Sequence, residues 1–287
     1  MSSTKDIKQR IANIRSVEQI IKAMEMVAST KLVKARRQLE GVRPIYQELK
    51  SIVEEVGNLK DAQKHTFYKE REVKNSLYII VTSDRGLAGS YNANVMTQAL
   101  RHMEEKKEKL IVVGFKGCDY FNKKGKDVIR QIIDVRDANV YYGCENLANT
   151  AIDLYLSDQV QEVFIVYTHF KNVLSYEPVI QKILPIIGQV VEEKDYSTRK
   201  YEPNIETYIE ETIPLYLHMK LFRAFSESHT SEQAARMVNM DAAGKNASEI
   251  IEDLTSMYNR KRQAAITQEI SEIVGSANIM NKGGLDG

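Results

Sequence analysis

Apolar side chains recur through the first 57 residues at Ile7, Ile11, Ile14, Val17, Ile21, Met24, Ala28, Leu32, Ala35, Leu39, Val42, Tyr46, Leu49, Val53 and Val56. The steps are threes and fours almost throughout, the spacing of a coiled-coil seam. Near the other end Ala247, Ile251, Leu254, Tyr258, Ile266, Ile270, Ile273, Ala277 and Met280 repeat it. At 1.5 Å per residue the first helix would run roughly 80 Å and the last roughly 100 Å. Neither length fits inside a compact domain, so each stripe needs a long neighbour. The nearest candidate is the other terminus, giving an antiparallel two-helix coiled coil. Such a rod is a mechanical shape rather than an enzyme's shape.

Between these ends the pattern changes period. Runs 77–82 (LYIIVT), 109–114 (KLIVVG), 128–135 and 162–170 (EVFIVYTHF) predict strands, and 179–187, which contains Pro185, predicts an edge strand. Helices are expected over 92–105, 119–123 and 145–156. Continuously apolar strands separated by helices indicate a mainly parallel sheet covered on both faces. The expected fold is therefore α/β plus long helices: an N-terminal coiled-coil helix (1–57), a central Rossmann-like α/β domain (76–190) and a C-terminal coiled-coil helix (205–280) that pairs with the first. Residues 58–75 and 195–204 read as polar connections. Ser2 to Thr4 offer N-cap groups. Pro44 kinks or ends the first helix locally, and the seam beyond it favours a kink. Thr230 to Gln233 resembles a capping box, so the last helix either breaks there or runs through. Gly244 makes a small-residue face with Ala242, Ala243 and Ala247, which suits close helix approach but also suits a weak point.

Composition narrows the function classes. Hydrophobic residues make up 43% and charged residues 28% of 287, ordinary for a globular chain. The formal net charge of +1 argues against a dedicated nucleic-acid binder. Charge is uneven, however. From Lys5 to Arg43 there are 10 bases and 4 acids, a surplus of +6 on one helix. It is either a solvated face or a surface for an acidic protein partner. Cys118 and Cys144 are too few for a disulfide framework or zinc motif, and the five histidines show no ligand spacing. No metal or cofactor is expected. No apolar run is long enough to span a membrane, and MSSTKDIKQR has no secretory apolar core.

Two segments invite a chemical reading. Ser83 to Asn92, SDRGLAGSYN, follows a strand and precedes a helix, where glycines can cradle phosphate. The spacing is neither GxGxxG nor GK[ST], so a tight turn is favoured, with Asp84, Ser90 or Asn92 capping the next helix. Cys118 reads as a buried thiol. In the C-terminal seam, Asn259 to Gln263 interrupts the apolar pattern, and Ile270 to Met280 beyond it is apolar nearly all round. A tip too apolar for water implies enclosure by a partner.

The C-terminal run SEQAARMVNMDAAGKNASEIIEDLTSMYNRKRQAAITQEISEIVGSA, the N-terminal run IANIRSVEQIIKAMEMVASTKLVKAR and the central SDRGLAGSYN together resemble the γ subunit of F-type ATP synthase, over essentially the whole chain. Ala88 stands where that family commonly has Cys, Ser16 to Ile21 replaces a Thr-rich version, and the plastid regulatory insert is missing. The resemblance implies the central shaft of a rotary motor, with no active site of its own. Its partners would be the α and β subunits of the α3β3 ring, the ε subunit and the membrane c-ring. Without a transit peptide, a peripheral place on the cytoplasmic face of a bacterial membrane is expected. The resemblance also implies site residues. Arg262, Gln263, Thr267 and Glu269 match the contact with the catalytic subunits' catch loop, and Lys22 and Met24 match the opposite helix at that level. Ile270, Ile273 and Val274 fall in the bearing tip, and Tyr216 falls where the base meets the c-ring. Rival readings are a nucleotide-binding enzyme built on the α/β segment, a coiled-coil tether carrying a nucleotide-binding domain, and an RNA-binding arm. An enzyme would need a carboxylate or lysine constellation at the strand ends. An RNA arm would need bases interleaved with aromatics, whereas these bases lie on an aliphatic-seamed helix.

Overall fold

The structure, a computed structural model, describes residues 4–134, 140–187 and 201–283, with side chains in the last stretch described as far as residue 276. Helix α1 spans Thr4–Gly57 and α5 spans Ile205–Gly283. Between them lie β1 (Ser76–Val81), α2 (Tyr91–Met103), β2 (Glu108–Val113), α3 (Phe115–Lys123), β3 (Val128–Ile132), α4 (Val140–Leu156), β4 (Glu162–Asn172) and β5 (Ser175–Leu184). Contacts divide the chain into two compact units. The first joins Met1–Val27 to Met240–Gly287, and the second is Ala28–Asn239.

The second unit is built on a five-stranded sheet in the order β3-β2-β1-β4-β5. The pairs β1–β2, β2–β3 and β1–β4 are parallel, and β5 closes the edge antiparallel to β4. Strand β1 is buried at every residue because both of its faces are covered. Leu77, Ile79 and Val81 face a core filled by α1, α4 and α5, with Val42, Tyr46, Leu147, Ala151, Leu217 and Phe222 among its members. Tyr78 and Ile80, one residue out of phase, face a second core of Val95, Met103, Leu110, Cys118 and Phe121 under α2 and α3. The period-2 geometry of a strand thus sorts one apolar run into two cores.

As the seam beyond Pro44 favours, the proline does not end α1, which is one element from Thr4 to Gly57. The exposed ring faces away from the core, while Val42 and Tyr46 on either side hold the stripe down. Helix α5 likewise runs through Thr230 without a break, because Thr230 and Ser231 are buried and return their hydroxyls to the carbonyls of Ser226 and Glu227. Helices α3 and α4 begin earlier than predicted, at Phe115 and Val140. The edge strand begins at Ser175, with Pro178 inside it and Pro185 following its end. The connection after α1 is not simply polar. It makes a 3₁₀ turn at Ala62–Lys64, buries Phe67 and Tyr68, and Tyr68 Oη donates to the Val53 carbonyl at 3.0 Å. Ser2, Ser3 and Val135 lie outside the described residues, as do residues 195–200 of the 195–204 connection.

Candidate functional site

In the first unit α1 and α5 run antiparallel, and two contacts set their register. Ser248 Oγ donates to Glu18 Oε1 at 2.7 Å, and the same oxygen accepts from Lys22 Nζ at 2.8 Å. These hydrogen bonds hold the Glu18 carboxyl below the usual carboxylate range. Ile21 Cγ2 lies over Gly244, 3.7 Å from where a Cβ would stand. That is ordinary van der Waals distance, so glycine is not required for the approach. Gly244→Ala is expected to stabilise the pair by about 0.5–1 kcal/mol, because alanine restricts the unfolded chain and suits a helix interior. The denaturant midpoint checks it, and a lower midpoint would show that the helices need the gap.

Apolar burial in this unit is graded. Ile7, Ile11 and Ala247 are buried, whereas Ile14, Ile21, Met24, Ile251, Leu254 and Tyr258 are half-buried. Val17, expected in the seam, is 51% exposed. Arg262 lies fourteen residues beyond Ser248, and Thr4 lies fourteen before Glu18, so Arg262 stands at the level of Thr4. This register has two consequences. Lys22 and Met24 face the region of Gly244 rather than Arg262, roughly 27 Å away along the helix. Further, Ile266, Ile270, Ile273 and Val274 lie past the described start of α1, so the N-terminal helix gives them no cover. They are 46%, 56%, 69% and 53% exposed, respectively. Arg262, Gln263, Thr267 and Glu269 are exposed on the same stretch, with Thr267 Oγ1 donating to the Gln263 carbonyl at 2.9 Å. The structure therefore groups the C-terminal site residues on one bare length of helix and places Lys22 and Met24 elsewhere.

Tyr216, assigned by resemblance to the c-ring side, lies in the second unit. It is only 5% exposed, its ring stacks 5.9 Å from Tyr46, and Lys220 Nζ lies 3.3 Å from its hydroxyl. Its side chain packs in the core of the second unit and lines a groove at that core's edge.

The carboxyl ends of β1 and β2 are where a doubly wound sheet would hold a nucleotide. Here the position is closed by protein. Thr82 Oγ1 donates to the Val113 carbonyl at 2.7 Å and accepts from the Gly117 amide at 3.0 Å. Asp84 does not cap α2; its Oδ1 accepts from the Phe115 amide at 2.9 Å and so caps α3. The Asn92 carboxamide instead binds the Ser83 amide at 3.0 Å. The Gly86 carbonyl accepts from Arg236 at 3.2 and 3.3 Å, and Gly89, at φ 55°, packs on the Asn239 side chain. The loop thus turns a carbonyl towards arginine where a phosphate cradle would gather amides. The remaining cavity, lined by Ser83, Asp84, His229 and Glu232, measures only about 80 Å³. Ligand pockets run roughly 300–1,000 Å³, so the nucleotide-binding alternatives are not favoured.

Two ion clusters in α5 lock the second unit. Glu227, fully buried, accepts from Arg223 Nε at 2.9 Å and from His169 Nδ1. Glu232 pairs with Arg236 at 2.6 Å. Burial alone would raise the Glu232 carboxyl, but His229 and Arg236 outweigh it and hold it low. The four-residue spacing of both pairs is visible in the sequence; the strand histidine that completes the first is not. Cys118 and Cys144 are free and buried, and burial pushes both thiols up.

The first unit is an antiparallel helix pair with a bare length of α5, and the second is an α/β unit whose sheet edge is filled by its own side chains. The sequence profile of the ATP synthase family matches residues 3–280. The ATP synthase gamma chain of Desulforamulus reducens is 39% identical over 279 residues, covering 96% of this chain and 99% of that one. That of Halothermothrix orenii is also 39% identical, over 287 residues, covering 98% and 100%. A chain in the central stalk and c-ring structure of Tetrahymena thermophila mitochondrial ATP synthase matches with a TM-score of 0.63 at 25% identity, covering 78% of this chain and 99% of that chain. One in the Euglena gracilis mitochondrial ATP synthase matches with a TM-score of 0.70 at 20% identity, covering 99% and 96%. The chain belongs to the ATP synthase gamma chain family.

Proposed function

We propose that this chain is the central rotor shaft of F-type ATP synthase, coupling ion-driven c-ring rotation to ATP synthesis and hydrolysis in the α3β3 ring. The observation that carries this reading is the match to gamma chains over nearly their whole length and its own. Among the described residues no helix is long and apolar enough to cross a membrane. The chain would therefore meet the membrane peripherally, through the c-ring and beside the ε subunit, on the cytoplasmic face of a bacterial cell membrane.

The mechanism follows from symmetry. One asymmetric helix pair cannot show the same face to three equivalent catalytic subunits. Each subunit meets a different face, and a bound body shifts an equilibrium only by its differential affinity for the states. The shaft acts as that body, and its angle selects which catalytic site is closed. Arg262, Gln263, Thr267 and Glu269 would engage the catch loop. Ile270, Ile273 and Val274, too exposed for a chain in water, would turn inside an apolar sleeve. The +6 surplus near the start of α1 suits acidic loops on the ring, where charge sets register and encounter rate more than raw affinity.

The test is a reconstituted complex carrying Arg262→Ala and Gln263→Ala together. ATP-driven ion pumping is expected to fall several-fold relative to ATP hydrolysis, with thermal unfolding of the chain unchanged because both side chains are exposed. Pumping that stays in step with hydrolysis would remove these two residues from the coupling surface. Failure of the chain to assemble with α and β subunits would remove the shaft reading itself.

A further inference from the structure

Between α1, the end of β5 and α5 lies an open groove of about 480 Å³. Four cations from three elements line it: Lys50, Lys182, Lys220 and Arg223, with Glu54 as the carboxylate among them. Three of the four have an anion. Lys50 Nζ is 3.4 Å from Glu54, Lys182 Nζ is 3.2 Å from Glu162, and Arg223 gives its Nε to Glu227 at 2.9 Å. Lys220 has a neutral partner, the Tyr216 hydroxyl at 3.3 Å, with its Nζ 5.4 Å from that ring's centroid. The wall behind it is the stacked pair Tyr46 and Tyr216, which keeps the local dielectric low.

We propose that this groove binds a free phosphate-class oxyanion, inorganic phosphate or pyrophosphate, with Lys220 as its central donor and Lys50 and Arg223 flanking it. An ammonium in a tyrosine-walled groove beside two more cations is unfavourable until a compact polyvalent anion enters. The anion would give Lys220 the charged partner that Lys50 has in Glu54 and Arg223 in Glu227, and would accept charge-assisted hydrogen bonds from their remaining N–H groups. Convergence on one concave volume suits a small multiply charged ligand better than an extended acidic peptide, which would need its counter-charges in a row.

The Lys220 amine behaves as an unneutralised group should. Burial pulls it down from lysine's usual value to about 8, Lys50 and Arg223 add to the shift, and Glu54 opposes it. Between about 8 and 10.5 the folded chain therefore binds fewer protons than the unfolded chain, so this group makes stability rise with pH across that window. A bound oxyanion would restore the proton and flatten that slope.

The experiment uses the full chain at constant ionic strength in chloride, titrated with inorganic phosphate and with pyrophosphate by calorimetry and ³¹P NMR. Saturable binding is expected, tighter for pyrophosphate. Lys220→Met is expected to weaken it at least tenfold and Lys50→Gln several-fold. The Lys220 Cε resonance should report an amine whose titration moves up by about one pH unit or more on saturation, a readout that a purely structural lysine would not move. Lys50 is on the surface, so its variant tests the site even where Lys220→Met disturbs folding. The proposal is overturned by absence of saturable binding, by acetate binding equally well, by undiminished affinity in Lys50→Gln, or by a Lys220 titration that the anions leave in place.

Discussion

Replacing Glu227 with alanine is expected to destabilise the second unit by about 3–5 kcal/mol, the range for breaking a buried ion pair from one side. The carboxylate is fully buried and joins two elements that are far apart in sequence. Arg223 of α5 donates to one of its oxygens at 2.9 Å, and His169 of β4 meets the other. Without the carboxylate, two half-buried donors lose their acceptor and the guanidinium keeps its charge, held over the Tyr46 ring at 4.6 Å. Glu227→Gln keeps the shape and one oxygen acceptor, so it should fall between alanine and the native chain. A surface pair supplies the scale. Lys171 and Glu177 lie 2.8 Å apart but are about half exposed, and Glu177→Gln should stay within about 0.5 kcal/mol. Chemical denaturation of all three variants decides the matter. Equal midpoints for Glu227→Ala and Glu177→Gln would mean that the buried cluster is solvated after all.

Gly114→Ala should cost about 3 kcal/mol or more, through backbone collision rather than lost contacts. Gly114 has φ 93°, a region that side chains rarely adopt. A Cβ there would stand 2.3 Å from the Thr82 carbonyl oxygen and 2.6 Å from its carbon. Those are backbone atoms of the neighbouring strand end, so no rotamer relieves the clash. Thr82 also orders the Gly117 amide, and the Asp84 cap on α3 follows two residues later, so the disturbance spreads through the whole carboxyl edge. Gly125 separates the two causes. Its φ is 65° but nothing lies within 4 Å of a Cβ, so Gly125→Ala meets conformational strain alone and should cost about 1 kcal/mol. If both variants unfold at the same denaturant concentration, the Thr82 contact is not limiting.

The nucleotide question shows how local chemistry and tertiary placement divide the evidence. SDRGLAGSYN sits at the place where a sheet of this topology would bind phosphate, and its two glycines keep that reading open. The decision comes from Arg236, 150 residues away, which donates to the Gly86 carbonyl, and from Asn239, against which Gly89 packs. No local spacing rule contains a partner that distant. Asp84 is a similar case: its type and position announce a helix cap, but the helix it caps is α3, brought alongside by parallel pairing of β1 with β2.

Hydrophobic period carried the rest of the fold. Steps of three and four fix which face of a helix must be buried, and continuous apolar runs fix that a strand is covered twice, because side-chain direction depends only on backbone geometry. Both long helices, the mainly parallel sheet and the overexposed tip follow from that rule. It does not set how far one helix slides along another. The register came from Ser248 meeting Glu18 and Ile21 lying over Gly244, and it moved Lys22 and Met24 about 27 Å from Arg262. Nor does it say which polar residues are buried together: Tyr216, Lys220 and Glu227 lie on one stretch of α5, yet they are a core ring, a groove amine and a buried ion. Periodicity is a property of one segment and can be read along the chain. Register, burial of charge and closure of the sheet's edge depend on which distant segments meet, and only the folded structure decides that.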